Sequence, residues 1–145
     1  MGAGIAIRRY GPGDADAVVA LWETCFPDDP PRNAPRAVIA RKVDRDPDLF
    51  WVAVDSAGDV AGAVLAGYDG YRGWLYHLAV APDRRREGIA TALVDAAVEA
   101  LSGLGCVKVN LQVRESNAAV VAFYASLGWT EDATVSLGRT LRAFD

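Results

Sequence analysis

The chain has 145 residues, 52% of them hydrophobic, which suits one domain spanning 1–145 around a single buried core. Its formal net charge of −4 argues against a general nucleic-acid binder, and its two cysteines and one histidine are too few for a structural zinc site. Because no apolar run reaches the roughly 18 residues that cross a bilayer and the chain start lacks a signal-peptide core, we expect a cytoplasmic protein without membrane contact.

The first half of the chain alternates strand and helix patterns. A short strand is predicted over 5–10, and a turn over 11–14 ends in the helix cap Asp14. Four of the nine residues in 27–35 are proline, which predicts a stiff loop without regular structure. The other predicted elements are a helix after the cap, a helix at 36–43, a strand at 49–54, a turn at 56–59 and a strand at 60–67.

The second half begins with a turn at 68–73 and a strand at 74–80, whose unbroken apolar sequence predicts burial on both faces. Pro82 ends this strand, and a long helix begins near Gly88. Strict alternation over 107–113 predicts a strand with one buried face. The rest is predicted to be a helix at 117–127, a stop at Gly128 and one or two closing strands within 129–141. The order of these elements implies an α/β fold, a mixed sheet with helices on both faces.

Three consecutive arginines, Arg84 to Arg86, stand between the apolar strand and the helix that opens at Gly88. Glycine there lets a ligand approach the backbone, and the free amides and dipole of a helix start favour a phosphate. We therefore interpret the segment as a dedicated anion site within an acidic chain. The alternative is an ordinary packed unit with a solvated arginine loop.

Two sequence blocks carry a family signature. The pattern Arg85-x-x-Gly88-x-Ala90 resembles the pyrophosphate-binding motif, Arg/Gln-x-x-Gly-x-Gly/Ala, of the GCN5-related N-acetyltransferase (GNAT) superfamily. The block 117–128 (NAAVVAFYASLG) resembles the family's second signature, and the 68–72 turn and closing segment look most like its YpeA-type bacterial branch. The resemblance implies the GNAT fold, a mostly antiparallel mixed sheet of six to seven strands with a splayed parallel pair.

The resemblance also implies acetyl-CoA as the cosubstrate and no metal. In the family the pantetheine arm lies between the splayed strands, here 74–80 and 107–113, and pairs with the main chain of the first. The pyrophosphate maps to the amides of 86–91, helped by arginine and threonine side chains. The implied cofactor-binding residues are Leu78, Ala79, Val80, Arg85, Arg86, Gly88, Ile89, Ala90, Thr91 and Asn117, although Asn117 also suits a plain helix cap.

For the reaction, the resemblance implies direct attack of a primary amine on the thioester, with Tyr124 protonating the leaving thiolate. A phenol has an ordinary pKa of about 10, near that of a thiol. Main-chain amides near Leu78 and Val80 could stabilise the oxyanion. The alternative is that Tyr124 only packs its helix against the sheet.

No general base is assigned by the sequence. Some family members have a glutamate five residues before the motif asparagine, where this chain has Gln112, which cannot take a proton. The candidates for the base that remain open are His77, Glu115, Asp69, Tyr71 and a water chain. A lone histidine in an apolar strand is also typical of a hydrogen-bonded core residue.

The acceptor pocket of the superfamily is framed by the loop between the first two helices, which here carries Asp28 and Asp29. Paired acids would favour a cationic amine, on a small molecule or at a peptide or protein N-terminus. The alternative is that these acids are solvated and the nearby aromatic residues form core. The aromatic residues that could line the pocket are Trp22, Phe26, Trp51, Tyr71 and Trp74.

A second functional hypothesis is a non-catalytic acyl-CoA-binding regulatory module. Gln112 suggests it, because this residue occupies the position of the general base and cannot accept a proton. Other nucleotide enzymes are not favoured, since neither a P-loop nor a dinucleotide glycine motif occurs. The sequence leaves the identity of the amine, the pathway and the oligomeric state open, a homodimer included.

Overall fold

The computed structural model describes residues 4–142. The chain divides into two compact units, Met1–Leu111 and Gln112–Asp145. The first unit holds a five-stranded sheet with three helices, and the second holds one helix. No helix among residues 4–142 combines the length and the apolar character that crossing a bilayer requires.

The sheet of the first unit has its strands in chain order. They are β1 (Ala6–Arg9), β2 (Phe50–Val54), β3 (Val60–Tyr68), β4 (Gly73–Val80) and β5 (Val109–Asn110). The first three pairings are antiparallel, and β4 with β5 is parallel. This arrangement confirms the predicted mixed α/β fold with a parallel strand pair.

The helices of the first unit are α1 (Ala15–Cys25), α2 (Pro35–Arg45) and α3 (Ile89–Gly103). Proline stands at the start of α2 and of each short 3-10 turn, because its fixed φ suits a first helical position that needs no amide donor. One such turn, Pro31–Asn33, lies inside 27–35, so the prediction that this segment lacks regular structure was wrong.

The predicted helix cap, Asp14, has a different role. Its side chain makes no capping hydrogen bond to α1. Instead the carboxylate accepts hydrogen bonds from the Arg8 guanidinium at 2.8 and 2.9 Å and from the Gly11 amide at 2.8 Å. The hydrogen bond from Arg8 has the largest effect on the pKa of Asp14 and lowers it. The same bond connects β1 to the start of α1.

Different helices cover the two faces of the sheet. On one face, Trp22 of α1 and Ile39 of α2 pack with Phe50, Val52 and Leu65 in a buried cluster. Successive strand residues point to opposite faces. Gly62 of β3 therefore faces α3, where an added Cβ would lie 3.0 Å from Leu93 Cδ1, so glycine permits the close approach of this helix.

A β-bulge interrupts β4 at His77. Leu65 pairs with Tyr76 and Ala63 pairs with Ala79, so two residues of β4 stand opposite Val64 alone. His77 has a φ of 50°, in the left-handed region that residues other than glycine rarely adopt. The sequence predicted that this strand is buried on both faces, but Tyr76 is 48% exposed.

The predicted strand at 107–113 is shortened to β5, and Val107 is 88% exposed. Among the described residues of 129–142 no strand occurs, although one or two were predicted. The sheet thus has five described strands rather than six to seven. Alternation in a sequence marks the two faces of an extended segment, whereas a strand also needs a paired neighbour.

The second unit contains α4 (Ala118–Ser126). Asn117 caps it, because its side-chain oxygen accepts a hydrogen bond from the Val120 amide at 3.3 Å. Gly128 follows with a φ of 91°, as the predicted helix stop requires.

Candidate functional site

The loop between β4 and α3 presents a row of backbone amides. Arg86 and Gly88 both have a left-handed φ, 69° and 78°, and Gly88 is the N-cap of α3. In residues 4–142 no acceptor outside α3 pairs with the amides of 86–91, and the first amides of a helix have no partner within it. These N–H groups and the helix dipole can therefore bind an anion.

Arg84 fixes the shape of this loop and is not available to a ligand. Its guanidinium bonds Asp55 at 2.8 Å and both carboxylate oxygens of Glu87 at 3.0 and 3.1 Å. The Arg84 bond lowers the pKa of Glu87, and the Asp59 amide together with Arg84 lowers that of Asp55. The Glu87 carboxylate is thus held by Arg84.

The other two arginines keep donors free. Arg85 donates from Nε to the Val80 carbonyl at 3.3 Å, and Cys25 donates to the same oxygen at 3.5 Å. The terminal nitrogens of Arg85 and the whole guanidinium of Arg86 make no ion pair within 4–142. The loop therefore carries two cations beside its free amides.

Before this loop, β4 has an open edge. Among residues 4–142, its parallel pairing with β5 covers only Gly73 with Val109 and Trp74 with Asn110. Leu78, Ala79 and Val80 lie further along β4, beyond that pairing. An extended ligand could hydrogen-bond to this edge as an added strand does.

A cavity of about 370 Å³ lies between α1, the α1–α2 loop and β4. Of the aromatic residues and acids predicted to line an acceptor pocket, Trp22, Phe26 and Asp29 do so. The other residues predicted to line it do not border this cavity; they are Asp28, Trp51, Tyr71 and Trp74. The full lining is Trp22, Glu23, Phe26, Pro27, Asp29, Pro30, Pro31, Asn33, Ala34, Pro35 and His77.

His77 stands at the β4 wall of the cavity. Its ring lies 5.1 Å from the Trp22 ring and 5.2 Å from the Phe26 ring, and its Nδ1 is 3.9 Å from an Asp29 oxygen. Burial lowers the pKa of His77 from its ordinary value of 6.5, while the Asp29 charge opposes this effect. Burial therefore favours the neutral imidazole, which can accept a proton.

Two other residues considered as a base are engaged in the β3–β4 turn. Asp69 accepts hydrogen bonds from the Tyr71 and Arg72 amides, both at 2.8 Å, which lower its pKa and make it a weaker base. Tyr71 is 69% exposed, and the Arg72 guanidinium lies 4.1 Å above its ring. Both residues thus stabilise a surface turn.

In the second unit Tyr124 is buried, with 7% exposure. Its ring makes edge contacts with Phe123 and Trp129, at centroid distances of 5.0 and 5.5 Å. Burial raises the pKa of Tyr124 to about 12, further above a thiol than the ordinary phenol value. Glu115 and Gln112 are exposed, and Gln112 donates to the Ser136 hydroxyl.

Nine of the predicted cofactor residues lie within 78–91 of the first unit, whereas Asn117 and the predicted catalytic Tyr124 lie in the second. Sequence reasoning missed Asp55 as the anchor of Arg84 and the proximity of Asp29 to His77. These pairs are separated by 29 and 48 residues, and no local pattern signals such contacts.

The comparisons identify the family. The model of the acetyltransferase (GNAT) family matches residues 15–129. The chain belongs to this family. It is a GNAT-type acetyltransferase, and its curated relatives are also named acetyltransferases.

Curated relatives of this acetyltransferase cover nearly its full length. An acetyltransferase of Pectobacterium atrosepticum is 43% identical over 137 residues, 93% of this chain and 94% of the relative. One of Sodalis glossinidius is 44% identical over 138 residues, with the same coverage.

Solved structures agree on the fold. Ard1 from Thermoplasma volcanium has a TM-score of 0.80 and 26% identity, covering 90% of this chain and 86% of its own. The aminoglycoside N-acetyltransferase AAC(6')-Iy, in complex with the bisubstrate analogue CoA-S-monomethyl-acetylneamine, has a TM-score of 0.79 over 95% of this chain and 99% of its own. At 19% identity it shows the fold alone.

Proposed function

We propose that this acetyltransferase moves an acetyl group from acetyl-CoA to a primary amine, on a small molecule or at a peptide N-terminus, by direct attack on the thioester. The observation that carries the proposal is the row of free amides at 86–91, which directly follows the open edge of β4. A diphosphate with an extended amide-bearing arm fits both features. Relatives of the same fold were solved with CoA or a CoA analogue.

In this proposal the amides of Gly88, Ile89, Ala90 and Thr91 bind the pyrophosphate. Arg85 and Arg86 add charge-assisted hydrogen bonds, since neither is committed to a carboxylate. The main chain of Leu78, Ala79 and Val80 pairs with the pantetheine arm, and Asn117 contributes in addition to capping α4.

Acetyl-CoA supplies the thioester carbonyl. Main-chain amides near Leu78 and Val80 stabilise the developing oxyanion, and Tyr124 gives a proton to the departing sulfur. With a pKa of about 12, Tyr124 stays protonated at every working pH and acts mainly as a hydrogen-bond donor until the thiolate forms. We further propose a cytoplasmic enzyme of a single domain, 1–145, with a homodimer as one assembly to test.

The competing proposal is a non-catalytic acyl-CoA-binding module. Gln112 favours it, because an amide cannot accept the proton of the amine. A neutral His77 beside the cavity weakens that argument, since it offers another proton acceptor.

Calorimetry with acetyl-CoA and a thiol-release assay against a panel of amines test the proposal together. We expect saturable acetyl-CoA binding and thiol release that depends on an amine. Binding with no release from any amine would support the module, and a lack of binding would refute both readings.

A further inference from the structure

The cavity beside His77 has a chemical character that selects cations. Its lining includes two carboxylates, Glu23 and Asp29, and no lysine or arginine. Trp22 and Phe26 add aromatic faces, which attract ammonium groups electrostatically. A cationic ligand is therefore favoured here over a neutral or anionic one.

His77 and Asp29 are spaced to share one ligand atom. Their nearest nitrogen and oxygen are 3.9 Å apart, too far for a direct hydrogen bond. Two atoms at that distance can each lie about 2.9 Å from a single nitrogen between them, a normal hydrogen-bond length. An amine nitrogen in that position would touch a carboxylate on one side and an imidazole on the other.

The backbone at His77 is strained, with a φ of 50° at the β-bulge. Such a conformation is unfavourable for a residue with a side chain, and conformations of this kind cluster at functional sites. The bulge is the position where β4 meets the cavity wall, with the His77 ring against Trp22 and Phe26. The strain thus coincides with the one imidazole of the chain.

We propose that Asp29 and His77 bind the acceptor amine between them, Asp29 holding the ammonium group and His77 accepting the proton lost on acetylation, and that the acceptor is a small cationic amine with an apolar body. This inference rests on the proposed acetyl transfer. It assigns the general base that the sequence left open.

The residues that line the cavity favour a small molecule over a peptide. Four of the lining residues are prolines, which have no amide N–H to pair with the carbonyls of a peptide backbone.

The bound ammonium first loses one proton to His77, which passes it to solvent, and this frees the lone pair of the amine. The lone pair then forms the new C–N bond, the C–S bond breaks, and the nitrogen loses its second proton to His77. The sulfur gains one proton, from Tyr124 in the proposed mechanism, and solvent restores both side chains. The products are an acetamide, free CoA thiol and one proton released to solvent.

The surroundings of His77 make its pH dependence interpretable. Glu23 and Asp29 are the charged groups that line the cavity with it. β3, which pairs with β4, carries no charged side chain, and the acids of α3, Asp95 and Glu99, are exposed. The acid limb of the kcat/KM profile should therefore report the protonation of His77, with an inflection below 6.5.

The kinetic test uses 2-phenylethylamine as the probe. His77→Asn keeps a residue that tolerates a positive φ but removes the base, so we expect kcat to fall by about 10²-fold or more and the acid limb to disappear. Asp29→Asn should raise KM for the amine by about 10-fold with kcat nearly unchanged, because it removes the ammonium partner. Asp28→Asn is the matched control, since Asp28 does not border the cavity, and it should behave as wild type.

An independent readout is proton NMR of the imidazole in tag-free protein, because His77 is the only histidine. Without acetyl-CoA, saturating 2-phenylethylamine should lower the pKa of His77, since a bound cation opposes imidazolium formation. Asp29→Asn should abolish this response at the same amine concentration. Unaltered kinetics in both variants, or no NMR response in wild type, would overturn the inference.

The remaining outcomes separate this inference from the broader function. Normal acetyl-CoA affinity by calorimetry in both variants is expected and shows that the coenzyme site is intact. An unstructured tetrapeptide with kcat/KM above that of the amine would refute the small-molecule assignment. Amine-dependent turnover that survives His77→Asn unchanged would leave the acetyl transfer standing and refute the role of His77.

Discussion

Gly88 is the residue on which the anion site depends. Its φ of 78° strains any residue with a side chain, and it stands where the amides of the loop meet the first turn of α3. Asparagine is the side chain that tolerates this conformation best, and aspartate has nearly the same shape with a negative charge. The two substitutions therefore separate backbone strain from charge.

We predict that Gly88→Asp weakens acetyl-CoA binding by about 10-fold or more relative to Gly88→Asn, because the carboxylate repels a diphosphate at the same amides. Calorimetry measures both affinities, and thermal denaturation checks that both variants fold alike. Equal affinities in the two variants would place the diphosphate elsewhere.

Tyr124 can be tested without disturbing its packing. Its ring contacts Phe123 and Trp129, and phenylalanine preserves those contacts. We predict that Tyr124→Phe lowers kcat by about 10²-fold and leaves the Kd for acetyl-CoA and the melting temperature near wild type. An unchanged kcat in steady-state assays would show that the hydroxyl has no part in protonating the thiolate.

At the scale of elements, the network of Arg84, Asp55 and Glu87 ties the end of β2 to the loop before α3. Removing the cation leaves two carboxylates facing one another. We predict that Arg84→Met lowers the melting temperature, whereas Arg86→Met does not, because Arg86 makes no ion pair within 4–142. Arg86→Met should instead weaken acetyl-CoA binding directly.

The same network has a defined pH signature. The pKa values of Asp55 and Glu87 are lowered from 3.8 and 4.5 in the folded protein. Their contribution to stability is therefore present above these ordinary values and is lost as the pH falls toward the lowered ones. The difference in melting temperature between wild type and Arg84→Met should shrink as the pH falls below 4.5; a constant difference would show that these carboxylates are not coupled to Arg84.

Element positions could be read from the sequence wherever the signal is local. Proline and glycine mark the ends of α2 and α3. The apolar period of α3 predicts a buried face of Ile89, Leu93, Ala97, Leu101 and Leu104. The first four are buried, whereas Leu104, which follows the helix, is 57% exposed. The predictions failed at β5 and in 129–142, because the length of a strand depends on its neighbour and not on its own pattern. The bulge at His77 was also unforeseen, since the run WLYHLAV contains no glycine to announce a positive φ.

At the scale of the whole molecule, the motif Arg85-x-x-Gly88-x-Ala90 predicted the family, which the family model confirms, and it places the proposed anion loop just before α3. The acceptor side could not be predicted in the same way. The 3.9 Å approach of His77 to Asp29 joins an apolar strand to a proline-rich loop, and only the packing of α1 on the sheet brings them together. The sequence alone therefore left both acids of that loop equivalent, whereas only Asp29 borders the cavity.

The proposed acetyl transfer depends on where acetyl-CoA binds, and a crystal structure of the complex measures this directly. We predict diphosphate oxygens about 3 Å from the amide nitrogens of 86–91, with the pantetheine arm along the main chain of Leu78 to Val80. A diphosphate bound away from these amides, or an arm that does not follow this edge of β4, would contradict it.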